Sequence, residues 1–194
     1  WWAAQGEYRS VERAVAELRA GRPRRLPPSD STRLTHRALL CAAVLDAVRA
    51  QALALPDARA RAASADSLAR TLVFGVVMAA RVNGPMNLWL SRLWERHGDP
   101  ARALQAVRRR GSAFLWVPSF MSSYLAEEGR LAALTGDTTG AVRAYRHYLA
   151  LRFDPEPSVR PTVERVRRAL MALEGGATQS DRPGAGAEAP PPIP

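Results

Sequence analysis

Residues 130–151 read RLAALTGDTTGAVRAYRHYLAL, and the role of Gly136-Asp137 within them decides the fold. The stretch carries arginines, a Gly-Asp pair and two tyrosines around a histidine, a composition that fits either a chemical site or a bend between two helices. Apolar spacing favours the bend. Leu125, Gly129 and Ala132 line one helical face before the pair, and Ala141, Tyr145 and Leu149 follow at i, i+4 and i+8 after it. Small residues at Gly129, Ala132 and Ala141 allow two helix backbones to approach closely. Gly136-Asp137 is therefore expected to be an interhelical turn.

A second copy lies upstream. Asn87–Val107 reads NLWLSRLWERHGDPARALQAV, and its Gly98-Asp99 precedes Gly136-Asp137 by 38 residues. Self-similarity at such a spacing is the mark of stacked supersecondary units. Leu90, Leu93 and Trp94 form the apolar face of its first helix. His97-Gly98 ends that helix, with Gly free to adopt the left-handed C-cap and the His placed as a cation near the negative end of the dipole. Asp99 caps the next helix, with Pro100 at the first position, where a missing N–H is harmless. Ala103, Leu104 and Val107 continue the buried side.

These residues resemble the tetratricopeptide repeat family. That pattern places a small residue midway along the first helix, Gly-Asp in the turn, and Ala then an aromatic in the second helix. Gly129, Gly136, Asp137, Ala141 and Tyr145 match it in register, as do Trp94, Gly98, Asp99 and Ala103 in the earlier copy, where Ser91 and Val107 depart from it. The family period is about 34 residues, which places the extra length in the connector RRRGSAFLWVPSF; the closing Pro is displaced to Pro155. The match covers roughly Met86 to Pro157, somewhat over a third of the chain. A narrower resemblance, in AVRAYRHYLALRFDPEPSVRPTVERVRRAL, is to the ends of bacterial transcriptional activation domains and to helical tails of bacterial signalling proteins. It implies a signalling context, in which an effector module would precede Trp1.

The resemblance implies a concave groove lined by the first helix of each pair. Carried over by register, Leu88, Arg92, Glu95 and Arg96 face it from one repeat, and Ser123, Ala126, Arg130 and Ala133 from the next. Arg92 and Arg130 occupy equivalent positions. A guanidinium matches a carboxylate with two parallel hydrogen bonds, so the pair is expected to hold carboxylates of an acidic peptide or protein; exposed arginines with no ligand are the plain alternative.

Composition agrees with helices and restrains the chemistry. Ala, Leu and Arg dominate, all strong helix formers, and the β-branched runs of a sheet protein are missing. The expected fold is all-α: an irregular solenoid of tetratricopeptide-like helical hairpins with a C-terminal capping helix. Degenerate hairpins are expected over residues 1–83 and the clearer repeats with the capping helix over 84–174. A disordered Pro/Ala/Gly-rich tail is expected over 175–194, where apolar periodicity lapses.

A formal charge of +10 invites nucleic acid as a partner. All 28 basic residues are Arg, however, which looks like the coding bias of a GC-rich genome and raises the charge of surfaces that bind nothing. Nucleic acid is disfavoured, with the helical effector part of a DNA-binding regulator kept as the alternative, beside the regulatory tail of a kinase or cyclase.

Catalysis is not expected. His36, His97 and His147 are scattered, Glu127 and Glu128 diverge by about 100° on a helix, and no phosphate-loop, nucleophile-elbow or zinc-hydrolase motif occurs. Cys41 is the single cysteine and sits in an apolar run, where a buried thiol is expected. No cofactor or metal is implied. The longest apolar run, Leu72 to Ala80, is about half a bilayer span, and no signal peptide is visible, so a cytoplasmic location is expected. Oligomeric state is not readable.

Overall fold

A computed structural model describes residues 5–20, 28–71, 76–109 and 118–180. Eight helices account for nearly all of them: α1 (Tyr8–Ala20), α2 (Pro28–Ala52), α3 (Ala58–Thr71), α4 (Val76–Arg96), α5 (Pro100–Arg108), α6 (Pro118–Leu134), α7 (Thr138–Leu151) and α8 (Arg160–Ser180). Among the described residues there is no strand. The all-α expectation is met, and so is its hairpin form. Each helix packs on the next in sequence, while α2 also meets α4 and α4 meets α6.

The two Gly-Asp turns share one geometry because they share one local chemistry. Gly98 and Gly136 have φ of 74° and 80°, the left-handed region that only Gly enters without a Cβ penalty. Around the first, Gly98 N–H donates to the Glu95 carbonyl at 2.9 Å and Asp99 N–H to the Trp94 carbonyl at 2.9 Å. Around the second, Gly136 N–H donates to Ala133 at 3.2 Å and Asp137 N–H to Ala132 at 2.8 Å. This pairing satisfies carbonyls that a helix end leaves open. The Asp then starts the next helix: Asp99 accepts from Arg102 N–H at 3.0 Å, and Asp137 from Gly140 N–H at 2.9 Å.

Between the helices lies a core of aliphatic and small side chains. Leu40, Val44, Ala47, Ala62, Ala65, Leu90 and Leu93 join the second hairpin to the first. Trp94, Ala103, Val107, Tyr124, Leu131, Ala132 and Ala141 join it to the third. Leu125, Tyr145 and Tyr148 meet Val163, Val166 and Leu170 of α8. Each fully buried leucine contributes about 1.5–3 kcal/mol from area removed from water. Ala103 and Ala141 are wholly buried, where a larger residue would push the paired helices apart.

Gly129 marks a close approach of α6 to α7: a Cβ built there runs into Cδ1 and Cε1 of Tyr145. That contact links α6 to α7 and seats the Tyr145 ring, which is 5% exposed.

Polar ties cross the hairpins as well. Arg108 and Arg109, at the end of α5, are put to structural use. Arg108 donates to Glu128 at 3.3 Å and also pairs with Asp137. Arg109 pairs with Asp66, which is 4% exposed, and its carbonyl accepts from Asn87 Nδ2 at 3.0 Å. The pairing with Arg108 holds the Asp137 carboxyl below the usual carboxylate range, aided by the Gly140 N–H. Arg110 lies outside the described residues, as do Phe114, Leu115, Trp116 and Val117 of the connector.

Three expectations shift. Helix α4 runs unbroken through residues 83 and 84, with Pro85 inside it, so the boundary expected there falls within a helix. Helix α8 continues to Ser180, so residues 175–180, expected in the tail, are helical; 181–194 lie outside the described residues. His97 is not the cation that closes α4. Burial lowers its pKa, helped by nearby Arg59, so the ring is neutral at pH 7. The positive charge at that helix end comes from Arg96 in the last turn and from Arg59, whose Nη1 donates to the His97 carbonyl at 2.8 Å.

Candidate functional site

Where α4, α6, α7 and α8 converge there is a cavity of about 350 Å³. Leu88 and Arg92 reach it from α4; Ser123, Ala126, Glu127 and Arg130 from α6; Tyr145 from α7; Thr162, Arg165, Val166 and Ala169 from α8. Helical spacing explains each set. Ser123, Ala126, Glu127 and Arg130 fall at i, i+3, i+4 and i+7, a single face of α6, and Thr162, Arg165, Val166 and Ala169 repeat that spacing on α8.

Five residues that register placed in the groove, Leu88, Arg92, Ser123, Ala126 and Arg130, are thus brought together. Arg96 and Ala133 are not: Arg96 is exposed beyond the cavity, and Ala133 is half-buried against the core between the second and third hairpins. Glu95 lies beside the cavity, engaged with Arg130. The signature residues Gly98, Asp99, Gly136 and Asp137 sit at the bends and touch nothing in the site, whereas Tyr145 forms part of its wall.

The expected equivalence of Arg92 and Arg130 breaks down. Both outer nitrogens of Arg130 donate to Glu95, each at 2.7 Å. The same guanidinium donates to Glu127 at 2.8 and 3.0 Å. These two carboxylates, Glu127 foremost, hold it even more firmly protonated than an ordinary Arg. Arg130 is therefore a rivet between α4 and α6, already saturated from within the chain, and not a free anchor for a peptide. Arg92 lies over the ring of Trp89, 5.4 Å from its centroid, and among the described residues no carboxylate is within ion-pair distance of it. Trp89 itself is 39% exposed.

Sequence reasoning did not find Tyr145 or α8 as parts of the site. From α8, Arg165 lines the cavity, its Nη2 donating to Thr162 Oγ1 at 3.1 Å. Among the described residues Arg165 also lacks a carboxylate partner. Burial raises the Tyr145 pKa, with Glu127 adding to the effect and Arg130 and Arg165 opposing it. The phenol is therefore protonated at neutral pH, and it makes no hydrogen bond among the described residues. Thr162, Val166 and Ala169 at i, i+4 and i+7 were the available signal for this wall.

Among the described residues the remaining candidates lie apart from one another; the side chain of His36 lies outside them. Glu127 points to the cavity, while Glu128, 2% exposed, turns to Arg108. His147 is exposed on α7. Burial raises the pKa of Cys41 against the pull of Arg37, favouring the thiol. Among the described residues, no group of three or more His, Cys, Asp or Glu is placed to hold a metal ion, and no helix is long and apolar enough to cross a membrane.

Compared with protein-family models, with curated proteins and with solved structures, the chain matches none of them.

Proposed function

We propose that this chain is a non-enzymatic protein–protein interaction scaffold. Its hairpins stack in the manner of a tetratricopeptide-like solenoid, and it serves as the C-terminal module of a bacterial signalling or regulatory protein. Its ligand is an acidic segment of another protein, held in the cavity between α4, α6 and α8, with no cofactor.

One observation carries this reading. Two arginines without carboxylate partners among the described residues, Arg92 and Arg165, open onto the same partly apolar concavity. Exposed guanidiniums at the mouth of a partly apolar concavity offer an anion its counter-charge. Engagement of several other arginines within the chain also supports a peptide over DNA as partner. Arg61, Arg108, Arg109, Arg130, Arg146 and Arg152 all pair with carboxylates of the chain itself, which leaves less charge to neutralise phosphates.

Peptide-display selection against the folded chain tests the reading. Enriched peptides should lose binding to Ala126→Trp and, independently, to Ala169→Phe, each of which fills the cavity, while circular dichroism confirms that the helices persist. Failure to enrich any peptide that these folded variants reject would overturn the scaffold reading. A duplex oligonucleotide bound with a steep salt dependence, and no such peptide, would favour the regulator-effector alternative instead.

A further inference from the structure

We infer that the cavity reads a two-part signature, an apolar side chain next to a single carboxylate on an internal Asp or Glu of the partner. This rests on the scaffold reading and goes beyond it in naming what is recognised.

Size sets the first limit. A volume of about 350 Å³ lies at the low end for ligand sites, which run from about 300 to 1,000 Å³. A helix with its side chains is about 10 Å across, so the cavity admits one or two side chains and not the body of a partner helix. Leu88, Ala126, Val166 and Ala169 give it an apolar wall, and water filling such a wall is displaced favourably by an apolar group.

Charge sets the second. Three guanidiniums line the cavity, Arg92, Arg130 and Arg165. Against them stand Glu127 in the lining and Glu95 on Arg130. Three positive charges against two negative leave one in excess, which one carboxylate neutralises. A phosphate near −2 would overshoot it and set its second charge against Glu127. The neutral Tyr145 hydroxyl, with no hydrogen-bond partner among the described residues, supplies a donor suited to an anionic oxygen. Arg130 does not take part directly. It fixes Glu127 and Glu95, and so keeps their carboxylates from collapsing onto Arg92 or Arg165.

The test uses the whole chain, labelled with nitrogen-15, and a panel of hexapeptides blocked at both ends. One carries a central Leu-Asp pair; the others replace Asp by Asn, Leu by Ala, or Asp by phosphoserine. The Leu-Asp peptide is expected to shift amides of α6 and α8 around Ala126 and Val166. Affinity should fall about tenfold, equivalent to 1.4 kcal/mol, with Asn or with Ala, and the phosphoserine peptide should bind no more tightly. Arg92→Ala and Arg165→Ala, exposed and free of ion pairs among the described residues, should each reproduce the loss seen with Asn while thermal stability is unchanged.

Asn or Ala peptides binding within twofold of the parent would overturn the signature, as would phosphoserine binding tenfold tighter, or no shift from any peptide up to about 5 mM. The two readings fail separately. Display-selected acidic peptides that Ala126→Trp rejects, but that need no apolar residue beside the carboxylate or bind better with several carboxylates than with one, would leave the scaffold reading standing and remove this inference alone.

Discussion

The ring of Tyr145 lies against the backbone of Gly129, so that one methyl group added to the glycine would strike Cδ1 and Cε1. Helix propensity alone would make Gly129→Ala stabilising by about 1 kcal/mol. The clash reverses the sign, because the ring is buried and overpacking costs about 1–3 kcal/mol. Urea denaturation of Gly129→Ala should show a net loss. The same change in a Tyr145→Leu background should cost less, and a stabilised Gly129→Ala protein would show that the two helices can part freely.

The two bends should respond alike. Nothing lies within 4 Å of a Cβ built at Gly98 or Gly136, so only backbone strain opposes substitution. Gly→Ala at either position should cost about 1–2 kcal/mol, and Gly→Asn less. Asp137→Ala should cost about 1 kcal/mol from the lost cap alone, and more because Arg108 loses a partner. Chemical denaturation of the five variants checks the ranking.

Two ion pairs that look similar in sequence should differ in weight. Glu95 and Arg130 are each about a third or more exposed, at 34% and 43% of their side chains, and a double-mutant cycle between them should give about 0.2–1 kcal/mol. Arg109→Ala leaves the carboxylate of Asp66, 6% exposed at its side chain, with Arg70 at 3.4 Å as its one remaining ion-pair partner among the described residues. Its cost should be on the order of 3 kcal/mol. Equal effects at the two sites would show that burial does not rank them.

Acid should weaken the fold in part through His97. Its pKa is lowered in the folded chain by burial and then by Arg59, so folding favours the neutral ring. That contribution is fully present above the ordinary value of 6.5 and is lost as pH falls through the lower folded value. The melting temperature should hold between pH 8 and 7 and decline below 6.5, and His97→Gln should flatten that part of the decline. Parallel melts of both proteins across this range decide it.

Much of the fold was legible because its decisive signals are local. A Gly followed by Asp, flanked by apolar residues at helical spacing, fixes a bend within a few residues, and both bends fell where the spacing placed them. Arg130 was misjudged because its partner Glu95 stands 35 residues away, and no local pattern announces which carboxylate a guanidinium will meet. The roles of Arg108 and Arg109 were hidden for the same reason, since their partners Asp137 and Asp66 stand far off in the sequence. Only half of the cavity could be found, since register marks the first helix of each pair but does not say where α8 will lie. Pro85 gave no warning that α4 would continue through it.

The segment after Leu151 returns the chain so that α8 forms one wall of the cavity while packing on Tyr145 and Tyr148. An occupant of the cavity would grip the last helix and the neighbouring helices at once. It would act as a latch against fraying, so hydrogen exchange should slow most in α8 when the cavity is filled.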